Sequence, residues 1–485
     1  MFYYACLMYI YAKPTSESRR SSMRIIRILV ATLFFTICLS TTNGQTQITR
    51  SVVSMEEAVN RALKQNNQVK ASQYAVLQAN WNKKNAWTRL FPRISFNSAY
   101  TWIDDSTLAL RDFSRYFQDP NLPFNIPQTV FQNAFYSSFI LTMPIYDPFL
   151  INGLSIARSS ESMASSLSES TRRTIIFQVI RTYLDILKRK EILALQQEYL
   201  ELSGLNYEKA ERLYEAGRYS MTDALRWKVD HQQQKSIVTS SESELRSGRI
   251  VLSRLLNGKQ GEFFDVEDRI SPPLLAESDN LLNLSDLDLL AMIQIDDAAL
   301  MQANAALAAA KRGEEISETS YRNSYNAYLP VINLTYSYAW RENSTLALDD
   351  YSPKTLMVNL SVPVFTSFQN YTRLKASYYE YKKTQEEFYN HMQDIRFVLT
   401  QTVNKLVNLK MQKELSKTSI EFNQRNYTVI EQQKEKGLVS NIDFIDAKLN
   451  LQNAQLTDIS NYYDFIGGMV ELYYLLGRLD KIIIR

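Results

Sequence analysis

The chain repeats itself, and the repeat constrains the fold before composition is considered. Leu90-Phe91-Pro92-Arg93-Ile94 returns as Tyr328-Leu329-Pro330-Val331-Ile332, at an offset of 238. At the same offset Trp102 matches Trp340, and Ser106-Thr107-Leu108-Ala109-Leu110 matches Ser344-Thr345-Leu346-Ala347-Leu348. Further along, Pro144 matches Pro363 at 219, Gly217 matches Gly437 at 220, and Leu255-Leu256-Asn257-Gly258 matches Tyr474-Leu475-Leu476-Gly477 at 219. The 19 residues lost fall between Trp102 and Pro144. Each copy reads as a helix, two strands, a very long helix, a turn and a return helix. The first copy spans 45–258 and the second 296–485, with 259–295 between them as a linker.

Elements this long need few turns, and the composition agrees: 485 residues hold only 12 Gly and 12 Pro. Between Val364 and Lys436 neither occurs over 73 residues, which allows one helix of up to roughly 110 Å. Sandwiches, propellers and compact α/β domains need a turn every dozen residues or so and are excluded. Apolar side chains recur at helical spacing, as in Ile445, Leu449, Leu456, Ile459 and Tyr463. Gln, Ser, Asn and charges fill the remaining positions, the pattern of coiled-coil seams. Each return helix is half as long as its partner, so the helices before the strands, about 63–89 and 296–326, are expected to complete that leg end to end.

Four strands are expected, at about 93–103, 135–146, 331–341 and 355–365, and all alternate. Ile94, Phe96, Tyr100 and Trp102 share one face and Ser95, Asn97, Ala99 and Thr101 the other. Ile332, Leu334, Tyr336, Tyr338 and Trp340 repeat the pattern, followed by Phe139, Leu141 and Met143, or Val358, Leu360 and Val362, in the second strands. About ten residues, apolar on one side and small-polar on the other with aromatics toward one end, suit a transmembrane β-barrel strand; a soluble sheet with one buried face is the alternative. The fold class is thus mixed α and β, coiled-coil helices with a transmembrane β-barrel. Four strands cannot close a barrel, and open edges are not tolerated in lipid, so the barrel is expected to be shared between copies.

Arg24 and Arg27 precede an apolar run from Ile28 to Leu39 and then small polar residues up to Gly44, the layout of a secretory signal over 1–44. Met23 is an alternative start. A run of twelve residues is too short to span a bilayer. Cys6 and Cys38 both lie in this stretch, so the processed chain has no thiol for a disulfide, nucleophile or metal site. Lipidation at Cys38 stands as an alternative, against which Ile37 is bulky where a small residue is wanted. Beyond residue 44 there are 49 basic and 50 acidic side chains, which gives no field for nucleic acid.

Each long helix must reverse, at 217–220 and at 437–440. Gly217-Arg218-Tyr219-Ser220 and Gly437-Leu438-Val439-Ser440 are the reversals. Glycine suits the left-handed end of a helix. Ser220 with Asp223, and Ser440 with Asp443, fit helix-capping boxes. Asp446 lies on the same side as Asp443 and is not needed for capping, while the first tip has Arg226 at that place. An Arg226–Asp446 contact between neighbouring hairpins is one way to hold that end shut.

These residues resemble the TolC-like outer membrane efflux family. The opening Ser54-Met55-Glu56-Glu57-Ala58-Val59, with Ala62-Leu63 and Asn66-Asn67, is similar to that family's first helix, and both tips match its order of Gly, Ser, Asp and an apolar helix start. The resemblance covers about residues 52–478. It implies a homotrimer with a 12-stranded barrel in the outer-membrane lipid of a Gram-negative-type bacterium and a 12-helix tunnel in the periplasm. It further implies a periplasmic adaptor (membrane fusion) protein docking on the tips and an inner-membrane RND or ABC transporter supplying energy. In such an exit duct of an efflux pump or type I secretion system, Asp443 and Asp446, with Asp223 and Arg226, line the periplasmic aperture.

No phosphate loop, metal motif or nucleophile elbow is present, so no enzyme and no cofactor is expected. His231 and His391 stand alone in helices, and Asp104-Asp105 and Asp349-Asp350 read as solvated loop acids. A structural coiled-coil envelope protein without a channel is the alternative function, and a membrane-anchored hydrolase a third with no site to support it.

Overall fold

Proline and glycine set where the elements start and stop. The computed structural model describes residues 49–112, 114, 130–259, 262–342 and 353–483. The leader with Cys6, Met23 and Cys38, the second pentapeptide Ser344–Leu348 and the pair Asp349-Asp350 lie outside the described residues. Two units are distinguished. The small one combines residues 1–50 and 259–263; in it the Glu262 N–H donates to the Lys259 carbonyl at 3.0 Å. The large one comprises 51–258 and 264–485.

The elements of the first repeat are β1 (Thr49–Val53), α1 (Met55–Gln65), α2 (Asn67–Thr88), β2 (Arg93–Trp102), α3 (Asp105–Arg111), β3 (Asn133–Tyr146), α4 (Pro148–Glu215) and α5 (Met221–Leu255). Between the repeats come β4 (Glu262–Val266), α6 (Pro272–Asn283) and α7 (Asp286–Ala291). The second has α8 (Asp297–Ala303), α9 (Ala305–Ser324), a 3-10 turn (Tyr325–Tyr328), β5 (Val331–Glu342), β6 (Lys354–Ser361), α10 (Gln369–Glu435), α11 (Asn441–Leu475) and α12 (Asp480–Ile483). The strand β6 ends at Ser361, short of the expected 365, because Pro363 cannot donate to a ladder.

α4 and α10 run for 68 and 67 residues, each about 100 Å. Pro148 begins α4 at a position where a missing N–H costs nothing, and Asp147 caps it by accepting from the Phe149 N–H at 2.9 Å. The return helices meet the opening helices end to end. Asn66, at the start of α2, donates Nδ2 to the Leu255 carbonyl at 2.9 Å, where α5 stops. At the matching place in the second repeat, Gly477 has φ +66° and a Cβ there would stand 2.0 Å from the Ala303 carbonyl oxygen. Only glycine permits that approach.

The core of the large unit lies where these joints meet the middles of the long helices. Ile175, Ile176, Val179, Ile180, Tyr183 and Leu184 of α4 face Phe465, Ile466, Met469 and Val470 of α11 and Leu399, Val403 and Leu406 of α10 in one buried cluster. Residues 259–295, expected as a linker, carry ordered elements of their own. Leu274 and Leu281, seven apart on one face of α6, and Leu289 of α7 are buried in the same cluster.

β2, β3, β5 and β6 form one antiparallel sheet in that order, leaving β2 and β6 as edges. Phe96 stands opposite Phe139, which stands opposite Tyr338, so the aromatic face is continuous across strands. The sheet of one chain is open, and no barrel is closed within it.

Candidate functional site: the paired tips and the open sheet

At the tips the backbone repeats itself closely. Gly217 and Gly437 have φ +71° and +73°, and nothing lies within 4 Å of a Cβ placed on either. Ser220 Oγ accepts the Asp223 N–H at 3.1 Å and Ser440 Oγ the Asp443 N–H at 3.2 Å. In the second tip the box closes, as the Ser440 N–H donates to Asp443 Oδ2 at 3.2 Å. Capping therefore engages both acids. Leu438 is 71% exposed, Gly217, Arg218 and Gly437 are exposed, and Tyr219 and Val439 are half-buried.

The side chains then diverge. Asn441, the first residue of α11, reaches to the other tip: its Nδ2 donates to Asp223 Oδ1 at 3.0 Å, and its Oδ1 accepts from the Tyr219 hydroxyl at 3.4 Å. Hydrogen bonds from Ser220 and Asn441, with the Arg226 charge nearby, hold the Asp223 carboxyl below its ordinary value. Asp443 and Asp446 are both exposed on α11. Among the described residues Arg226 and Asp446 form no ion pair within the chain. The structure thus brings Tyr219, Asp223 and Asn441 together, and leaves Arg226 and Asp446 free to face elsewhere.

Behind the tips lies a tie that local sequence patterns do not show. Trp227 of α5 and Phe444 of α11 are 1% and 4% exposed, and Ala210 of α4 joins them. Lys434 of α10 places its ammonium 4.0 Å from the Trp227 ring centre and 3.9 Å from that of Phe444. Burial, with Lys209 and Lys448 close by, lowers the Lys434 pKa to about 8. One helical turn onward, Lys448 is fully buried and donates to Asp230 Oδ2 at 2.6 Å. Gln234 and Gln452 exchange amide hydrogen bonds at 3.3 and 3.2 Å. Lys448 sits with Phe444 and Leu451 at i, i+4 and i+7 on the seam of α11, and a lysine in a seam was the available signal.

The sheet offers the second feature. Ile94, Phe96, Tyr100, Trp102, Leu356, Val358 and Leu360 are each more than half exposed. Such a patch exceeds what a monomeric soluble surface ordinarily leaves open. The opposite face is polar: Asn333, Thr335, Asn359, Thr142, Arg93 and Asp147 line a trough of about 1210 Å³ at the foot of the sheet. Of the remaining candidates, His231 Nδ1 shares a hydrogen bond with Ser203 Oγ at 3.2 Å and stacks on Tyr207, while His391 is exposed. Asp104 caps α3 by accepting the Ser106 and Thr107 N–H groups at 3.1 and 3.0 Å. No group of metal-ligating side chains occurs among the described residues, and none of their helices is long and apolar enough to cross a membrane.

Comparison with known proteins agrees with this geometry. Residues 298–478 match the family model described as outer membrane efflux protein. No curated protein matches the chain by sequence. The fold is similar to that of the Campylobacter jejuni CmeC outer membrane channel, with a TM-score of 0.73, 13% identity and coverage of 88% of this chain and 86% of that one. It is also similar to the outer membrane protein VceC of Vibrio cholerae (TM-score 0.71, 12% identity, 87% and 96% covered). The open state of the Neisseria gonorrhoeae MtrE outer membrane channel is similar too (0.68, 12%, 89% and 91%). The family is one of conduits rather than enzymes. The second repeat thus matches the outer membrane efflux protein model, and the chain shares the fold of TolC-like outer membrane channels.

Proposed function

We propose that three copies close a twelve-stranded barrel in the outer membrane and form a passive exit duct for an efflux pump or a type I secretion system. The observation that carries this reading is the four-stranded sheet with two free edges, one apolar face and one polar trough. In lipid an open edge leaves backbone groups unpaired, so the sheet needs partners on both sides. With the barrel in the outer membrane, the helical hairpins extend into the periplasm, reached through the secretory signal at 1–44. The chain carries no nucleotide-binding motif, and energy comes from an inner-membrane RND or ABC transporter, joined by a periplasmic adaptor that docks on Gly217–Ser220 and Gly437–Ser440.

Threefold symmetry turns Asp443 and Asp446 into stacked rings of carboxylates near one axis, a throat that attracts cations and repels anions. Asp223 and Arg226 flank it. The Asp223 carboxylate is engaged by Asn441 and Ser220, which leaves Asp446 as the acid not used by the fold. Single-channel recording of the purified protein in planar bilayers tests the duct. Discrete conductance steps are expected. A protein that folds and inserts yet gives none is the coiled-coil rod of the alternative reading.

A further inference from the structure

The polar face of the sheet carries positive charge and no acid. Strand pairing puts Arg93, Thr142, Thr335 and Met357 in one row across it, and Pro144, Asn333 and Asn359 in the next. Among the described residues of this face the charged ones are Arg93 and Arg341, the latter with its guanidinium carbon 5.5 Å from the centre of the Tyr136 ring. The trough of about 1210 Å³ at the foot is completed by the end of α2, which adds Asn85, Thr88 and Arg89. Arg89 and Arg93 are both exposed, and among the described residues neither makes an ion pair or a side-chain hydrogen bond. The one acid in the lining, Asp147, is engaged as the cap of α4, accepting the Phe149 N–H at 2.9 Å. Two arginines against one engaged carboxylate leave the trough positive.

The repeat shows that the fold does not require these charges. Shifted by 238, Arg89 and Arg93 become Ala327 and Val331, and the second copy passes from helix to strand without them. A cation at a helix C-terminus is favoured by the dipole, which accounts in part for Arg89. Arg93 opens a strand, where no such field acts. Arginine presents its donors as a planar fork that matches carboxylate and phosphate oxygens. The amides of Asn333 and Asn359 and the hydroxyls of Thr142 and Thr335 add donors from the facing strands. The apolar side chains lie on the opposite face of the same strands, so the trough opens to water rather than to lipid.

We propose that this trough binds small anions that carry a phosphate or carboxylate group, held by Arg89 and Arg93 with Asn333 and Asn359 and taken from the aqueous phase. The site itself does not depend on the duct, whereas its consequence for transport rests on that reading. In the duct the trough lies inside the foot of the barrel, and the Asp446 carboxylates lie at the far end of the hairpins. The two ends then carry opposite charge, and the entry of an anion depends on the side from which it comes.

Calorimetric titration of the purified full chain in detergent with inorganic pyrophosphate tests the site without a channel. Saturable binding is expected, about tenfold weaker in Arg93→Gln and weaker again when Arg89→Gln is added. Asn359→Asp, which sets an acid across the trough, is expected to weaken it as well, while Arg93→Lys keeps part of it. Arg425→Gln, at an arginine that pairs with Glu421 on α10, is expected to bind as the parent does. Far-UV circular dichroism identifies the folded variants. No saturable binding, or equal binding in the parent and the folded trough variants, overturns the site. Phosphatidylglycerol in mixed micelles is not expected to compete; competition means that the arginines serve lipid headgroups and overturns the aqueous site. In planar bilayers pyrophosphate is expected to block at lower concentration from the barrel side than from the tip side, and Arg93→Gln to relieve the block. A protein that conducts but binds no pyrophosphate loses the site and keeps the duct. One that binds it but never conducts keeps the site and loses the duct.

Discussion

The two tips solve the same backbone problem and then part ways. Both reverse at a glycine near φ +70° and both restart on a serine cap with an acid three residues on. Beyond that, the first tip gives its acid to the other hairpin through Asn441, while the second closes its own capping box and adds Asp446. Duplication kept what the chain needs in order to turn and released the side chains that the backbone does not need. In the duct proposed above, a role is therefore better sought where the copies differ, at Arg226 and Asp446, than where they agree.

The tie behind the tips gives the largest expected effect. Asp230→Ala leaves the buried Lys448 ammonium without a partner and is expected to cost about 3–5 kcal/mol. The apolar replacement of both, Asp230→Leu with Lys448→Met, is expected to be close to neutral. Chemical denaturation followed by far-UV circular dichroism reads both, and a loss under about 1 kcal/mol for Asp230→Ala means that Lys448 finds water after all. Gly217→Val and Gly437→Val come next, at about 1–2 kcal/mol each for a left-handed residue. Similar costs keep the two tips equivalent in backbone; a tip that accepts valine freely separates them. If the tips dock the adaptor, the double variant also loses co-purification with it, and recovery of normal pump complexes contradicts the docking.

Ser220→Ala and Ser440→Ala should each cost about 1 kcal/mol, as caps do. Ser440 is expected to cost more, since its box is reciprocal. The smallest effect concerns pH. Lys434 titrates near 8 in the folded chain, below its ordinary 10.5, chiefly through burial. Between those values the unfolded chain holds more protons, so this group makes stability rise with pH across that window. Unfolding midpoints at pH 8 and 10 should therefore converge in Lys434→Met relative to the parent. Equal pH dependence in both proteins removes Lys434 from the tie.

Much of this was legible because it is periodic or repeated. Alternation in Ile94–Trp102 and Ile332–Trp340 follows from the pleat, and the sheet places those side chains together on one exposed face. Gly and Ser at the tips announce a turn and a cap whatever the tertiary structure. The tie from Trp227 to Lys434 and Phe444 was not legible, because it depends on how three helices rotate against one another. Residues 259–295 were underread: Pro272 at a helix start, with Leu274 and Leu281 seven apart, already marked a packed helix.

Reversal potential in a salt gradient tests the asymmetry of the tips most directly. The purified protein bearing Asp446→Asn, Arg226→Gln or neither is to be recorded in planar bilayers. A throat made by the second tip means a cation-selective parent, a marked fall in cation preference for Asp446→Asn with folding intact, and little change for Arg226→Gln beyond a slight gain. An unchanged reversal potential for Asp446→Asn contradicts that placement and returns Asp446 to the solvated surface of α11.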